Sequence, residues 1–322
     1  MENSIRFFWA CRLGLLLLAL GWLAGCGSGS STSALGSALA VSNQSANSVT
    51  FYAAGASGNV APSAILAGNS TQLNGPTGLA FDSSGRLYVA NLGGASAAAS
   101  ITVYPPASNN NTAPMSVISG NNTGLDQPMG LAVANGTIYV VNAGNNSVAT
   151  FPVGANGNIA PSTLIAGSST GLNFPTGIAI DASGNLYVGN TNGGAVDIFP
   201  ANSSGNVAPA SAIAGSNTGL NGPAGLALAG GNLYVTNQLG FTLNVYPVGI
   251  NGNLAPSQTI YGTGSGLNQP VGVAVGAGSI YVVNLTSITS YPVRGNGAIA
   301  PSAVLTGAST GLAHPVFVTI LP

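Results

Sequence analysis

The chain is 322 residues long, 46% hydrophobic and only 3% charged, with 4 Lys and Arg against 5 Asp and Glu. Low net charge with this much apolar content argues against disorder. The absence of basic clusters argues against a nucleic-acid partner, whose binding rests on Lys and Arg at phosphates.

The N-terminus reads MENSIRFFWACRLGLLLLALGWLAGCGSGSS. Arg6 and Arg12 make a positive region, and Leu13 to Leu23 is an apolar run. That run is shorter than the roughly 20 residues a membrane-crossing helix needs. Residues 1–25 therefore read as a secretory signal, outside the fold. The stretch Leu23-Ala24-Gly25-Cys26 resembles the bacterial lipobox. The resemblance implies acylation of Cys26 as the first mature residue, the alternative being an ordinary signal with an incidental Cys. Gly27, not Asp, follows the Cys, which implies the outer membrane if the host is Gram-negative. Cys11 lies inside the signal, so the chain beyond Cys26 has no thiol for a disulfide, metal site or nucleophile. Beyond that point there is no Lys and no Glu, and Arg86 and Arg294 face Asp82, Asp126, Asp181 and Asp197. Residues 26–38 comprise the acylated Cys and a flexible tether, GSGSSTSALGS being Ser- and Gly-rich.

From residue 39 an internal period governs the chain. PTGLAFDSSGRLYVANLGG, from Pro76, recurs as PMGLAVANGTIYVVNAGN from Pro128 and PTGIAIDASGNLYVGNTNG from Pro175. PAGLALAGGNLYVTNQ follows from Pro223, PVGVAVGAGSIYVVNL from Pro270, and PVFVTILP from Pro315. A second element runs in step: an aromatic, then Ala-Pro ten residues on, then a Gly. Each unit predicts four short strands, a to d. Strand a is PxGLAV. Strand b is LYVxN, rich in β-branched and aromatic residues. Strand c is SVxxYP, and strand d follows Ala-Pro. Turn residues such as DSSG, DASG, SGN and NGN separate them. Strands a and b scarcely alternate apolar with polar, as expected of sheets covered on both faces.

The last unit, PVFVTILP, is a strand a alone. The first, LAVSN at 39–43, SVTFY at 48–52 and APSAILAG at 61–68, supplies b, c and d without a. The halves are complementary. Five whole units and one split unit predict an all-β, six-bladed β-propeller over 39–322, its last blade closed by both termini. A linear solenoid has no reason to begin at b and end at a.

The pattern PxGLAVD-xxG-xLYVxN-xxxxxVxxY resembles the NHL-type repeat of bacterial six-bladed, TolB-like propellers. It departs from that family in that only Asp82 and Asp181 keep the Asp after strand a, and Asn stands where relatives often carry Asp after strand b. Such a resemblance speaks to architecture more than to function. It implies that gluconolactonase-like hydrolase and streptogramin lyase-like activities are the ones to test. Relatives of that kind hold a divalent metal with Glu, Asp, Asn or His near the channel. Four scattered Asp and one His do not readily assemble a zinc or calcium shell, so no metal and no cofactor are expected.

Two sets of residues stand out as candidate ligand contacts. Asn43, Asn91, Asn142, Asn190, Asn237 and Asn284 end strand b, one per blade, and an uncharged amide ring suits sugar hydroxyls or peptide backbone. The competing reading is turn chemistry, favoured by repetition in every blade. His314, the one imidazole, precedes the last PxG proline where other units have Gly, Gln or Phe. The b–c loop GGASAAAS, Gly93 to Ser100, is longer than its counterparts and offers no chemistry. Tyr88, Tyr139, Tyr187, Tyr234 and Tyr281 in strand b read as core. The function expected is a monomeric, lipid-anchored envelope module that binds a glycan, peptide or envelope protein without turning it over. The alternative is a hydrolase or lyase of the propeller type.

Overall fold

In a computed structural model, which describes residues 38–94 and 98–321, the chain forms six four-stranded antiparallel sheets. The signal, Cys26 and the tether as far as residue 37 lie outside the described residues, as do residues 95–97 of the long b–c loop. Blade 1 is the split one. Its strand order is Pro315–Ile320, Ala38–Asn43, Ser48–Ala53, Ala64–Ala67, with Leu39 opposite Ile320 and Val41 opposite Val318. Blades 2 to 6 follow in chain order, with a strands beginning at Pro76, Pro128, Pro175, Pro223 and, in blade 6, Val273. The six-bladed propeller expected from the split repeat is thus the fold observed.

Strand a is the inner edge of every sheet, and the a strands of consecutive blades neighbour one another around the ring, blade 6 to blade 1 and blade 1 to blade 2 included. This approach explains the Gly of PxG. A Cβ at Gly78, Gly130, Gly177, Gly225 or Gly272 would lie under 3 Å from the backbone of the next blade's a strand. The sixth position is Phe317, half-buried, at the junction of blades 1 and 2. The hydrophobic cores lie between blades. Val196, Ile198 and Ile213 of blade 4, for example, pack on Leu226, Leu233 and Tyr246 of blade 5. Each sheet is therefore apolar on both faces, which is why strands a and b read as continuous apolar runs.

Strand d would be an exposed edge. The c–d loop of the next blade covers it: Gly58, Asn110, Gly157, Gly205, Gly252 and Gly297 each bridge to strand d of the preceding blade. Asparagines fasten this cover. The Oδ1 atoms of Asn59, Asn111, Asn158, Asn206 and Asn253 accept from the backbone N–H groups of Ser309, Ser70, Asn122, Ser169 and Asn217, at 2.7–2.8 Å. The sixth position is Ala298, at the junction of blades 5 and 6.

A side chain that supplies the missing acceptor there has room, because the turn it faces begins at Gly262, as the other five turns begin at Gly. Ala298→Asn is therefore expected to stabilise the protein by about 1 kcal/mol, read as a rise of roughly 2–4 °C in the calorimetric melting temperature. No rise would show that this junction is closed by other means.

Candidate functional site

The a strands wall a central cavity of about 310 Å³, lined by residues such as Leu79, Leu131, Leu226, Val273, Phe317 and Ile320. Strand a ends each sheet, so its second edge has no strand partner; near its start, Thr hydroxyls of the preceding blade donate to its carbonyls, as Thr77 does to Pro128 and Thr176 to Ala224. No ionisable side chain lines it among the described residues.

The cavity lining runs from the PxG end of strand a to its far end, toward the a–b loops; the opposite face, which carries the d–a and b–c loops, is here the upper face. Each d–a loop is built alike. A Ser or Thr hydroxyl donates to the carbonyl of the Gly three residues before it, as Thr71 does to Gly68 at 2.7 Å and Thr310 to Gly307 at 2.7 Å. In four blades a strand c Tyr hydroxyl donates to the carbonyl of that same Ser or Thr, Tyr104 to Thr71 and Tyr291 to Ser265 among them. Burial pushes those phenols up, Tyr246 and Tyr291 to about 12, so they remain neutral donors.

The strand b asparagines hold the other end of the loop. All six are at most 1% exposed. Their Oδ1 atoms accept from the backbone N–H groups of Asn74, Asp126, Asn173, Asn221, Asn268 and Ala313, at 2.9–3.2 Å. Their Nδ2 groups donate to strand c, from Asn43 to Thr50, Asn91 to Thr102, Asn142 to Ser147, Asn237 to Thr242 and Asn284 to Thr289, at 2.9–3.1 Å. Asn190 donates to the carboxylate of Asp197. The ring expected to present amides to a ligand is thus turned inward with both polar ends bonded. A loop end sealed from water must find acceptors for its N–H groups, and these six side chains supply them. Asn43, Asn91, Asn142, Asn190, Asn237 and Asn284 are positioning residues. Each fixes the residue just before a mouth position.

That position, here called the mouth because the inner strand starts there on the upper face, is the residue directly ahead of the proline that opens each PxG or PVF segment. The six are His314, Gly75, Gln127, Phe174, Gly222 and Gln269 in blade order, and all have left-handed φ, from 47° to 67°. His314 is exposed in the d–a loop leading into blade 1, next to the start of strand a. Its five counterparts were visible in the sequence only as a variable position. No cluster of three or more His, Cys, Asp or Glu able to hold a metal occurs among the described residues.

The four aspartates play separate parts. The Oδ1 of Asp82 accepts from the N–H groups of Ser84 and Arg86, and Oδ2 from the Arg86 guanidinium and the Tyr88 hydroxyl. Burial alone would raise that carboxyl, but these donors together hold it below the usual range. Asp181 caps its turn in the same way, through Ser183 and Asn185. Asp126 is exposed on the upper face. Asp197 is 5% exposed, and burial pushes its carboxyl up to about 6 despite the Asn190 bond.

Compared with known proteins, a family described as "Lactonase, 7-bladed beta-propeller" matches residues 90–225, less than half of this six-bladed chain. No curated protein matches the sequence. Among solved structures, the nidogen/laminin complex aligns at TM-score 0.64 and 14% identity, over 89% of this chain and 99% of that one. A putative 6-phosphogluconolactonase from Bacteroides fragilis aligns at 0.59 and 16%, over 88% and 85%. A catalytically inactive histidine-to-alanine form of virginiamycin B lyase from Staphylococcus aureus, solved with quinupristin, aligns at 0.52 and 12%, over 75% and 73%. At these identities the likeness is one of fold.

Two outcomes test the site's construction. Asn142→Ala strands the Asp126 N–H and removes a donor from Ser147, whose hydroxyl keeps its bond to Asn145, and is expected to cost about 1–3 kcal/mol in chemical denaturation; a neutral effect would return the ring to ligand contact. For Asp197, the folded pKa lies above the unfolded value of 3.8. The folded state thus favours the protonated acid, and stability is lost as pH rises from about 4 through 6. The loss is of order 3 kcal/mol at neutral pH. Asp197→Thr, the residue at the matching place in blades 1, 2 and 6, is expected to raise the melting temperature at pH 7.5 and flatten its dependence between pH 4 and 7. An unchanged pH profile would show that Asp197 does not carry the effect.

Proposed function

We propose that this chain is a cell-envelope binding module, built on NHL-type repeats and anchored as a monomer through lipid on Cys26, whose ligand docks at the upper mouth of the propeller. The observation that carries this reading is the mouth ring. Six positions share one backbone conformation, left-handed and ahead of a strand start, and glycine is the residue that adopts it without cost. Gly75 and Gly222 follow that preference. Gln127, Phe174, Gln269 and His314 do not, at roughly 1 kcal/mol each. Their side chains are exposed or half-buried, so the core does not need them. Exposed residues kept against the local preference of the backbone, on the loop face of a propeller, are those expected to serve a ligand. The described chain starts at Ala38 on the lower face, whose carbonyl accepts from Leu321 N–H.

A hydrolase or lyase is the second reading. His314 favours it, as an exposed imidazole on the upper face, together with the inactivated histidine named for the virginiamycin B lyase structure.

The test replaces Gln127, Phe174, Gln269 and His314 together by Gly. The full-length protein and this variant are used to capture material from envelope extract in mild detergent. The variant is expected to melt at or above the native temperature and to lose a protein or glycan that the native protein retains. Equal retention would overturn the mouth as the site. Turnover of lactone, ester or streptogramin substrates that His314→Gly abolishes would establish the second reading.

A further inference from the structure

Two phenylalanines on the upper face break the backbone rule independently. Phe174, at the mouth, has φ 51° and is 37% exposed. Phe241, at the tip of the b–c loop of blade 5, has φ 54° and is 46% exposed. A bulky residue with positive φ is an outlier. At the place matching Phe241, blades 1, 3 and 4 carry Asn47, Asn146 and Gly194, residues that tolerate the conformation. Asn47 and Asn146 also do a task there. Their Oδ1 atoms accept from the N–H groups of Gly75 and Phe174, the mouth residues of the following blades, at 2.7 Å. Phenylalanine at 241 gives up that bond to Gln269 as well as the easy conformation. Leu239 and Leu285 are exposed on the same side of the face. Nothing in the packing calls for these rings.

The surroundings define what the rings would meet. The d–a loops leading into blades 4 to 6 and the b–c loops of those blades hold no carboxylate, Lys, Arg or His; Asp126 adjoins this part of the face beside Gln127, and His314 on the other side after blade 6. Gln127 and Gln269, both exposed, stand at neighbouring mouth positions on either side and bring paired donors and acceptors. Flat phenyl faces with a negative quadrupole take the C–H face of a sugar ring, whose hydrogens are slightly positive. Amides take its hydroxyls. Phe174 heads blade 4, Phe241 lies beside the head of blade 6, and Leu239 covers Gly222 between them; we infer that the two rings are separate stacking contacts for one neutral oligosaccharide laid across this part of the upper face, an inference that rests on the upper-face binding reading above and names its ligand class. A charged glycan finds no counter-charge in these loops.

The experiment is affinity electrophoresis of the full-length protein in mild detergent through gels containing dextran, pullulan, laminarin, mannan or xyloglucan. The comparison is the double variant Phe174→Gly, Phe241→Asn, in which both positions regain residues that suit their backbone. The expected result is retardation of the native protein by at least one of these polysaccharides and binding about tenfold weaker or less in the variant, with a melting temperature equal or higher. Retardation of native and variant alike would overturn the stacking contacts. No retardation in any gel would overturn the saccharide assignment. In that case, capture of a protein by native but not by glycine-mouth chain would leave the upper-face reading standing, whereas equal capture would remove both.

Discussion

Six sheets close into a ring only where their innermost backbones can almost touch. In this protein that contact rests on the Gly of PxG, repeated in five blades, where any side chain would collide with the next strand. The inner radius, the width of the channel and the angle at which every loop leaves the sheet follow from that approach. Phe317 is the one departure, and it stands in the blade assembled from both ends of the described chain. The junction made by chain closure is therefore the one that accommodates a side chain.

Two asparagine rings then divide the polar work. The outer ring, Asn59 and its kin, seals strand d beneath the neighbouring loop, and the inner ring, Asn91 and its kin, fixes the residue before each mouth position. Because amides and hydroxyls inside the fold hold each loop, the residue at its tip contributes little to stability. The fold therefore does not dictate the side chain there, and the six positions run through Gly, Gln, Phe and His on one backbone geometry. Asp197 shows the opposite case. It occupies a buried place where blades 1, 2 and 6 keep Thr50, Thr102 and Thr289, and there a carboxylate is disfavoured by desolvation.

The architecture was legible in the sequence because period and split repeat are properties of the chain itself. The outward or inward sense of the strand b asparagines was not. Asn at a strand end satisfies a turn and a ligand equally well, and only burial separates the two. Four of the five outer asparagines were hidden within SGN and NGN, and Asn111 within an Asn run, all of which already read as sufficient turn signals, so their part in holding the neighbouring blade left no separate trace. His314 stood out by being alone of its kind. Phe174 and Phe241 did not stand out, because a left-handed φ belongs to the backbone and phenylalanine is not a residue that announces it. The split into binding face and scaffold becomes readable only when conformation and side chain are compared blade by blade.

The account turns on the claim that mouth side chains are held against the preference of the fold. Calorimetric stability of the four single glycine variants at Gln127, Phe174, Gln269 and His314 measures it directly, one residue at a time. The account predicts that each glycine leaves stability unchanged or raises it, by up to about 1 kcal/mol, the unfolded-state entropy of glycine offsetting part of the relief. Losses of 2 kcal/mol or more at these positions would mean that the side chains serve the fold, and the mouth would lose its claim to be the site.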